Sequence, residues 1–278
     1  MQLAVAIATD EAPPDAFVVF RGLAESIRKA ADLGYQGVEL ALKDAGEVDR
    51  DKLAGWVAET GLEVSAISTG QVYAVSGLYF THPDAEARAR VVEVFAGLVG
   101  LAREFGGLVN VGRARGFVPA AGTVAETERL FVDTARRICD IAAESGVTIV
   151  IEPVNRYEMN FVNSLDEGAA LLAKVKRENL GLMPDVFHMN IEDARIGASL
   201  AQHGGLVRYV HLADSNRLAP GRGHLDFEDI FDGLRRAGYD GWCSVEILPD
   251  PDPDTAARQA VEHLRQTFGV RQFDCRLQ

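Results

Sequence analysis

The sequence of 278 residues has few cysteines and no long apolar run. Its three cysteines, Cys139, Cys243 and Cys275, are widely separated and form no CxxC pattern, so free thiols in a reducing, cytoplasmic environment are expected. No apolar run approaches the ~18 residues that a membrane span requires. The run at residues 3–8 follows no basic segment and is too short for a secretory signal, so it predicts a first strand.

Basic residues are scarce relative to acidic ones. The chain has 28 Lys and Arg against 41 Asp and Glu, a formal net charge of −13 and a pI near 4.9. Nucleic acids and anionic membranes are bound by cationic surfaces. We therefore expect neither as a partner, and a small molecule is the expected ligand.

The remaining composition is that of an ordinary globular protein. Hydrophobic residues make up 47% and charged residues 25%, and the mean hydropathy is +0.00. No linker-like or low-complexity tract interrupts the chain, and composition does not change between its halves. A single domain over residues 1–278 is therefore predicted, and a domain of this size is typically a barrel or a large sandwich.

Short apolar strands alternate with helical patterns along the whole chain. The predicted strands cover residues 3–8, 37–40, 63–68, 108–112, 148–152, 179–185, 207–214 and 243–249. The predicted helices cover residues 21–33, 49–60, 83–106, 124–145, 165–177, 194–203, 226–237 and 254–268. Eight such units predict an α/β protein with a single (β/α)8 TIM barrel. An open doubly wound sheet is the alternative, but no GxGxxG follows the first strand.

Four titratable residues follow consecutive predicted strands, where barrel enzymes carry their reactive groups. The fifth strand ends in Glu152, directly before Pro153; the sixth ends in Asp185; the seventh carries His211 and the eighth Glu246. Three carboxylates and an imidazole suit a hard or borderline divalent ion such as Mn²⁺, Mg²⁺ or Co²⁺ better than structural zinc. An ordinary salt bridge explains any one of them alone, whereas four at corresponding places indicate a metal site.

A second set of polar residues lies further along the same loops. Glu158 follows Glu152 in "EPVNRYE". In the same way, His188 follows Asp185 in "DVFHMN", and Arg217 follows His211 in "HLADSNR". We expect these three side chains to close over a ligand bound at the strand ends. The alternative is that they are solvated loop residues or helix caps.

The segments "IEPVNRYEMNFVNS", "PDVFHMNIED", "VHLADSNRLAPGRGHLDF" and "SVEILP" resemble the ketose 3-epimerases of the D-tagatose/D-psicose type, in the xylose isomerase-like barrel superfamily. The resemblance spans essentially the whole chain. Within that group, "AIATDEAPPDAF" and "GQVYAVSGLYFTHPD" are most similar to the 5-keto-L-gluconate epimerase type, which acts on keto acids of hexoses.

The resemblance implies a role for each candidate residue. It implies that the four strand-end residues bind one Mn²⁺-like ion, and that Glu152 and Glu246 are also the catalytic acid/base pair. It further implies that Glu158, His188 and Arg217 hold the first three oxygens of the substrate. Assembly into dimers or tetramers is expected on the same basis.

The chemistry implied is inversion of carbon 3 of a 2-ketose or a keto-hexonate. A proton next to a carbonyl is removed on one face and returned on the other, which needs two carboxylates and a Lewis acid. Three alternatives stay open at this point: a metal-dependent lyase of the inosose dehydratase kind, an endonuclease IV-like hydrolase, and a non-catalytic sugar-binding protein, which would leave the pair of glutamates unexplained. Six histidines and a net charge of −13 disfavour the hydrolase.

Two arginines follow the fourth predicted strand in "VGRARG". A planar guanidinium matches the geometry of a carboxylate, so Arg113 and Arg115 are predicted to bind the acid group of a keto-hexonate. The alternative is that both are solvated loop residues.

Overall fold

A computed structural model of the chain describes residues 1–14 and 16–268. Its strands are β1 (Gln2–Ala8), β2 (Phe20–Arg21), β3 (Gly37–Ala41), β4 (Glu63–Ser68), β5 (Leu108–Val111), β6 (Thr148–Ile151), β7 (Leu180–Leu182), β8 (Val210–Leu212) and β9 (Trp242–Val245). Its α-helices are α1 (Leu23–Leu33), α2 (Arg50–Thr60), α3 (Gly70–Ser76), α4 (Ala85–Phe105), α5 (Val124–Glu144), α6 (Leu165–Val175), α7 (Val186–Glu192), α8 (Ile196–His203), α9 (Phe227–Arg236) and α10 (Pro253–Phe268).

Eight of the strands form one parallel sheet in the order β7-β6-β5-β4-β3-β1-β9-β8, and the short β2 pairs with β1. Two backbone hydrogen bonds join the ends of this sheet. The amide of Arg208 donates to the carbonyl of Leu182, and that of His211 donates to Pro184, each over 2.9 Å. The predicted (β/α)8 barrel is therefore confirmed.

The last three predicted strands are longer than the strands in the structure. Residues 179–185, 207–214 and 243–249 were predicted, whereas β7, β8 and β9 have three or four residues each. Pro184 has no amide hydrogen to donate to a neighbouring strand. Asp185 then begins α7, because its side chain accepts a hydrogen bond from the amide of Phe187 over 2.8 Å. The prediction that Asp185 ends a strand was therefore wrong.

The main core lies between the sheet and the surrounding helices. Phe80 contacts Phe95 and Phe131 with ring centroids 5.0 and 5.5 Å apart, and Phe131 contacts Phe161 at 6.0 Å. These rings join the loop before α4 to α4, α5 and the loop after β6. The described residues contain no helix long and apolar enough to span a membrane.

Small side chains fill the barrel interior near β1 and β3. Ala6, Ala8 and Ala41 belong to one buried cluster that is separate from the main core. The strand register places Glu39 of β3 beside Ala6 on one side and Ala66 on the other. Because these neighbours are alanines, a fully buried carboxylate at position 39 has space beside them.

Candidate metal centre

Glu152, Asp185, His211 and Glu246 converge at the carboxyl ends of β6 to β9. Each offers one ligand atom, and these four atoms lie within 4.8 Å of one another. The Nδ1 atom of His211 is 3.3 Å from Glu152 Oε1, 3.4 Å from Glu246 Oε2 and 3.9 Å from Asp185 Oδ2. The four residues come from the carboxyl ends of four neighbouring strands of the barrel, and the two glutamates lie at the ends of the outer two of these strands, β6 and β9. The structure thus brings together the four residues predicted as ligands, although their binding of a metal stays a prediction.

The carboxylate of Glu152 is positioned by its neighbours on β5. Its backbone amide donates to the carbonyl of Val111 over 3.2 Å, and the side-chain amide of Asn110 donates to Oε2 over 3.1 Å. A Cβ atom at Gly112 would lie only 2.7 Å from that same oxygen. A glycine at position 112 therefore leaves the space that the carboxylate occupies.

The chemistry of His211 fits a metal ligand. Its Nε2 atom lies 2.9 and 3.0 Å from the two carboxylate oxygens of Glu39, while Nδ1 is buried and has no hydrogen-bond partner. A histidine that binds a metal typically donates its other ring nitrogen to a carboxylate or a carbonyl in this way. Together with three carboxylates, this set suits an oxygen-preferring divalent cation.

The electrostatics of the protein without an ion show how strongly these groups interact. Burial by itself would raise the pKa of Glu152, but the adjacent imidazole of His211, 3.3 Å away, with the charges of His188 and Arg217, lowers that pKa to about 2. Burial would likewise lower the pKa of His211, but Glu39 and Glu152 outweigh it and raise that pKa to about 10. In the protein without an ion, a proton on His211 therefore offsets part of the negative charge of the carboxylates. A bound cation would take over this role.

The raised pKa of His211 predicts a pH-dependent stability of the metal-free protein. Its ordinary pKa is 6.5 and its folded-state pKa about 10, so between these values only the folded chain keeps this proton. The free energy of unfolding should fall as pH rises, by about 1.4 kcal/mol per pH unit for one proton. We expect this decline from about pH 7 to 8.5, below the titration of most unfolded Cys and Tyr side chains.

Urea unfolding at several pH values, with and without Mn²⁺, measures this effect. A cation on Nδ1 takes the place of the proton, so the slope should disappear in the loaded protein. Equal slopes with and without Mn²⁺ would contradict the prediction.

Arg217 lies inside the site rather than in solvent. Its backbone has a positive φ of 62°, and its guanidinium carbon is 4.9 Å from the ring centroids of both Phe17 and Phe187. The guanidinium forms ion pairs with Asp185 and Glu246. Two aromatic faces and two carboxylates therefore hold the charge of Arg217 over the four convergent side chains.

Asn155 connects the other two predicted substrate residues. Its Oδ1 accepts the amide hydrogen of Tyr157 over 2.9 Å, which fixes the orientation of its side-chain amide. Its Nδ2 then faces Glu158 Oε1 at 3.0 Å and His188 Nδ1 at 2.8 Å. Because His188 Nδ1 accepts this bond, its Nε2–H is directed into the site, 3.7 Å from Asp185 Oδ2. Burial lowers the pKa of His188, which favours this neutral, donating form.

A pocket opens above the four convergent side chains, and residues of both predicted sets line it. Glu152, Glu246, Glu158, His188 and Arg217 all contribute to its wall. Residues from earlier parts of the chain complete it, among them Phe17, Ser68, Gln71, Asn110 and Arg113. Five of the seven predicted residues therefore line one concave site.

Comparison with known proteins decides the family. The sequence profile described as xylose isomerase-like TIM barrel matches residues 27–267. The chain belongs to this family. The resemblance to the xylose isomerase-like superfamily, drawn from the sequence motifs, is thereby confirmed.

Relatives within the xylose isomerase-like family carry epimerase names. The chain is 33% identical over 227 residues to an L-ribulose 3-epimerase from Mesorhizobium japonicum, covering 81% of this chain and 75% of the relative. It is 31% identical over 238 residues to a ketose 3-epimerase from Arthrobacter globiformis, covering 82% and 81%. A crystal structure of D-allulose 3-epimerase from Methylomonas sp. with D-allulose superposes with a TM-score of 0.82 at 26% identity, covering 96% and 98% of the two chains.

The structure separates the two arginines of "VGRARG". Arg115 is fully buried, and its guanidinium donates to the carbonyls of Phe161, Gly112 and Val162 over 2.7, 3.0 and 2.9 Å. The prediction that Arg115 binds a substrate is therefore wrong, because its donors join two loops of this barrel. Arg113 lines the pocket, and its guanidinium makes no hydrogen bond or ion pair within residues 1–14 and 16–268.

Three residues of the site were not predicted from the sequence: Glu39, Asn110 and Asn155. The sequence nevertheless marks each of them as unusual. Glu39 interrupts the apolar strand "GVELA", and Asn110 interrupts "LVNV". Asn155 lies in the motif that contains Glu152 and Glu158. A polar residue inside a strand covered on both faces needs a buried partner. Only the structure identifies that partner.

Proposed function

We propose that this protein is a metal-dependent sugar epimerase that inverts carbon 3 of a 2-ketose or keto-hexonate. The observation that carries the proposal is the placement of Glu152 and Glu246, both within 3.4 Å of His211 Nδ1 and at the ends of the outer two of the four neighbouring strands. The names of the relatives support the same reaction. A substrate held between the two glutamates would present one face to each.

The two glutamates perform the proton transfers. One carboxylate takes the proton from carbon 3 and leaves a cis-enediolate, and the other glutamate, in its protonated form, gives its proton to the opposite face. Proton exchange with water then restores both groups. A positioned acid or base of this kind typically contributes about 10²–10⁴-fold in rate. When bound by Glu152, Asp185, His211 and Glu246, a divalent cation supplies Lewis-acid stabilisation of the negative charge that develops on the substrate. We propose Mn²⁺, and Mg²⁺ or Co²⁺ suits the same oxygen-rich set.

The remaining predicted residues hold the substrate. His188 offers an Nε2–H donor, Glu158 an acceptor and Arg217 a cationic donor, which suits the first three oxygens of a sugar. The aromatic faces of Phe17 and Phe187 limit the positions that the Arg217 guanidinium can take.

The lyase and the nuclease are less well supported. An inosose dehydratase also removes a proton next to a carbonyl, but its product has lost water, whereas inversion keeps every atom. An endonuclease needs a cationic surface for DNA, and the net charge of this chain is −13.

Incubation with Mn²⁺ in D₂O, followed by NMR, tests the reaction class. With a panel of ketoses and keto-hexonates, we expect deuterium at carbon 3 together with a new diastereomer. Loss of water without a diastereomer would replace the epimerase by the lyase.

We propose in addition that Arg113 selects an acidic substrate. It is half-buried in the wall of the pocket, and no acidic side chain of the described residues pairs with it. In a chain with 41 acidic residues, an unpaired arginine here supplies a counter-charge for a carboxylate. This supports the predicted similarity to enzymes that act on keto acids of hexoses.

The Arg113→Gln substitution should raise KM for a keto-hexonate by about 10- to 100-fold, the effect of losing one hydrogen bond to a charged group. The KM for a neutral ketose should stay within about twofold of the original value, because no carboxylate is then lost. Steady-state kinetics on both substrates measure the difference, with Arg103→Gln on the exposed face of α4 as control. Equal effects on both substrates would contradict the role.

We propose that the protein acts in the cytoplasm as a dimer or tetramer, without nucleic acid or membrane partners. Cys139 and Cys243 are buried free thiols, which suits a reducing compartment. Cys275 lies outside the described residues. Analytical ultracentrifugation measures the oligomeric state.

A further inference from the structure

Glu39 is a fully buried carboxylate that the proposed chemistry does not use. It lies on β3 with 0% of its surface exposed, and both of its oxygens are within 3.0 Å of His211 Nε2. Within the described residues, no lysine or arginine forms an ion pair with it. Its contact with His211 is therefore the ion pair that balances its charge.

A buried carboxylate is costly unless it is paired, and an apolar side chain would fill the same space more favourably. Ala6 and Ala66 flank position 39 and leave the room that the carboxylate needs. The Nε2 contact also decides which nitrogen of His211 is available. With Nε2–H donated to Glu39, it is Nδ1 that faces Glu152, Asp185 and Glu246, and a cation would take the place of the Nδ1 proton there.

We propose that Glu39 is the positioning residue that sets the metal affinity of the site, by holding His211 with Nδ1 directed at the three carboxylates. This role rests on the proposed function, because it assumes that the four residues bind a cation. The carboxylate acts in two ways: it fixes the ring orientation and tautomer, and it makes Nδ1 a stronger donor. Without it, the ring is free to place a hydrogen on Nδ1 and to lose its place in the ligand set.

The Glu39→Gln substitution tests the role with almost no change in side-chain volume. We expect the Kd for Mn²⁺ to rise about 10- to 100-fold, the usual effect of removing such a partner from a metal-binding histidine. Electron paramagnetic resonance of free Mn²⁺ during a titration measures this Kd without any assay of activity. Glu39→Asp keeps the charge but has a shorter side chain, so its Kd for Mn²⁺ should lie between those of the original protein and the Glu39→Gln variant.

Ser65→Ala is the matched control. Its hydroxyl is buried on β4 and contacts Tyr209 and the carbonyl of Val38, at 2.6 and 3.1 Å. Its removal disturbs the barrel interior without removing the partner of His211. We expect its Kd for Mn²⁺ to stay within about twofold of that of the original protein, because no ligand or its partner is lost. An equal loss of affinity in both variants would overturn the positioning role.

A measurement on the unsubstituted protein covers the case in which Glu39→Gln does not fold. In the Mg²⁺-loaded protein, ¹⁵N NMR of His211 should show a proton on Nε2 and none on Nδ1, and the reverse would overturn the proposal. A Glu39→Gln variant that binds Mn²⁺ as tightly as the original would also overturn it, while leaving the proposed function intact. Failure of the unsubstituted protein to bind Mn²⁺ would overturn both.

Discussion

Replacing Glu152 or Glu246 by glutamine should lower kcat for epimerisation by at least about 100-fold and by up to about 10⁴-fold. Glutamine has nearly the same shape and keeps an oxygen, but it neither takes nor returns a proton at neutral pH. The cost therefore falls on the proton transfer and less on binding. Rates with Mn²⁺ at saturating substrate measure the loss.

The two substitutions should also differ from each other in a defined way. If each glutamate serves one face, Glu152→Gln should still exchange the carbon-3 proton of one epimer with solvent, and Glu246→Gln that of the other epimer. Neither should invert the centre. Deuterium incorporation into each pure epimer tests this, with Glu63→Gln at the start of β4, at the other end of the barrel, as control. Exchange of the same epimer by both variants would contradict the two-face arrangement.

Removal of divalent ions should lower the rate of epimerisation by at least about 10²–10³-fold. The reason is that several kcal/mol of charge stabilisation in the transition state disappear with the ion. After treatment with a chelator and dialysis, adding Mn²⁺ should restore the rate, and Mg²⁺ and Co²⁺ should be compared with it. Full activity in protein shown by elemental analysis to hold no metal would contradict the prediction.

Thermal unfolding gives a second, independent measure of divalent-ion binding. A ligand that binds only the folded chain stabilises it by about 2.7 kcal/mol at 100 times its Kd, so Mn²⁺ should raise the Tm. His211→Ala removes one of the four converging groups, and its Tm should respond much less to Mn²⁺. An equal Mn²⁺-dependent rise in both proteins would place the ion elsewhere.

Much of the fold was predictable because local patterns and global structure agree. The strand formed by residues 63–68 and the start of the helix at 124 and 165 agree with the structure, since apolar periodicity and capping residues mark them. The short helices α3 and α7 were not predicted, because they lie in loops after strands and carry no long amphipathic pattern. The ends of β7 and β8 depend on which backbone groups find partners, which sequence periodicity does not encode.

The candidate site was predictable only in part, for a related reason. Barrel geometry brings strand ends together, so the sequence alone predicts that Glu152, Asp185, His211 and Glu246 converge. The surroundings of Arg115 could not be predicted, because two of its partners are backbone carbonyls of a different loop, at Phe161 and Val162. The partner of Glu39 is 172 positions away along the chain, at His211. Such contacts depend on tertiary packing, and a single sequence offers no direct signal for them.

We expect one cation to be bound jointly by Glu152, Asp185, His211 and Glu246. Anomalous diffraction at the manganese edge, from crystals of the protein soaked in Mn²⁺, tests it directly. We predict one strong peak bonded to Nδ1 of His211 and to an oxygen of each of the three carboxylates. A peak bonded to other residues, or no peak among these four, would contradict the account.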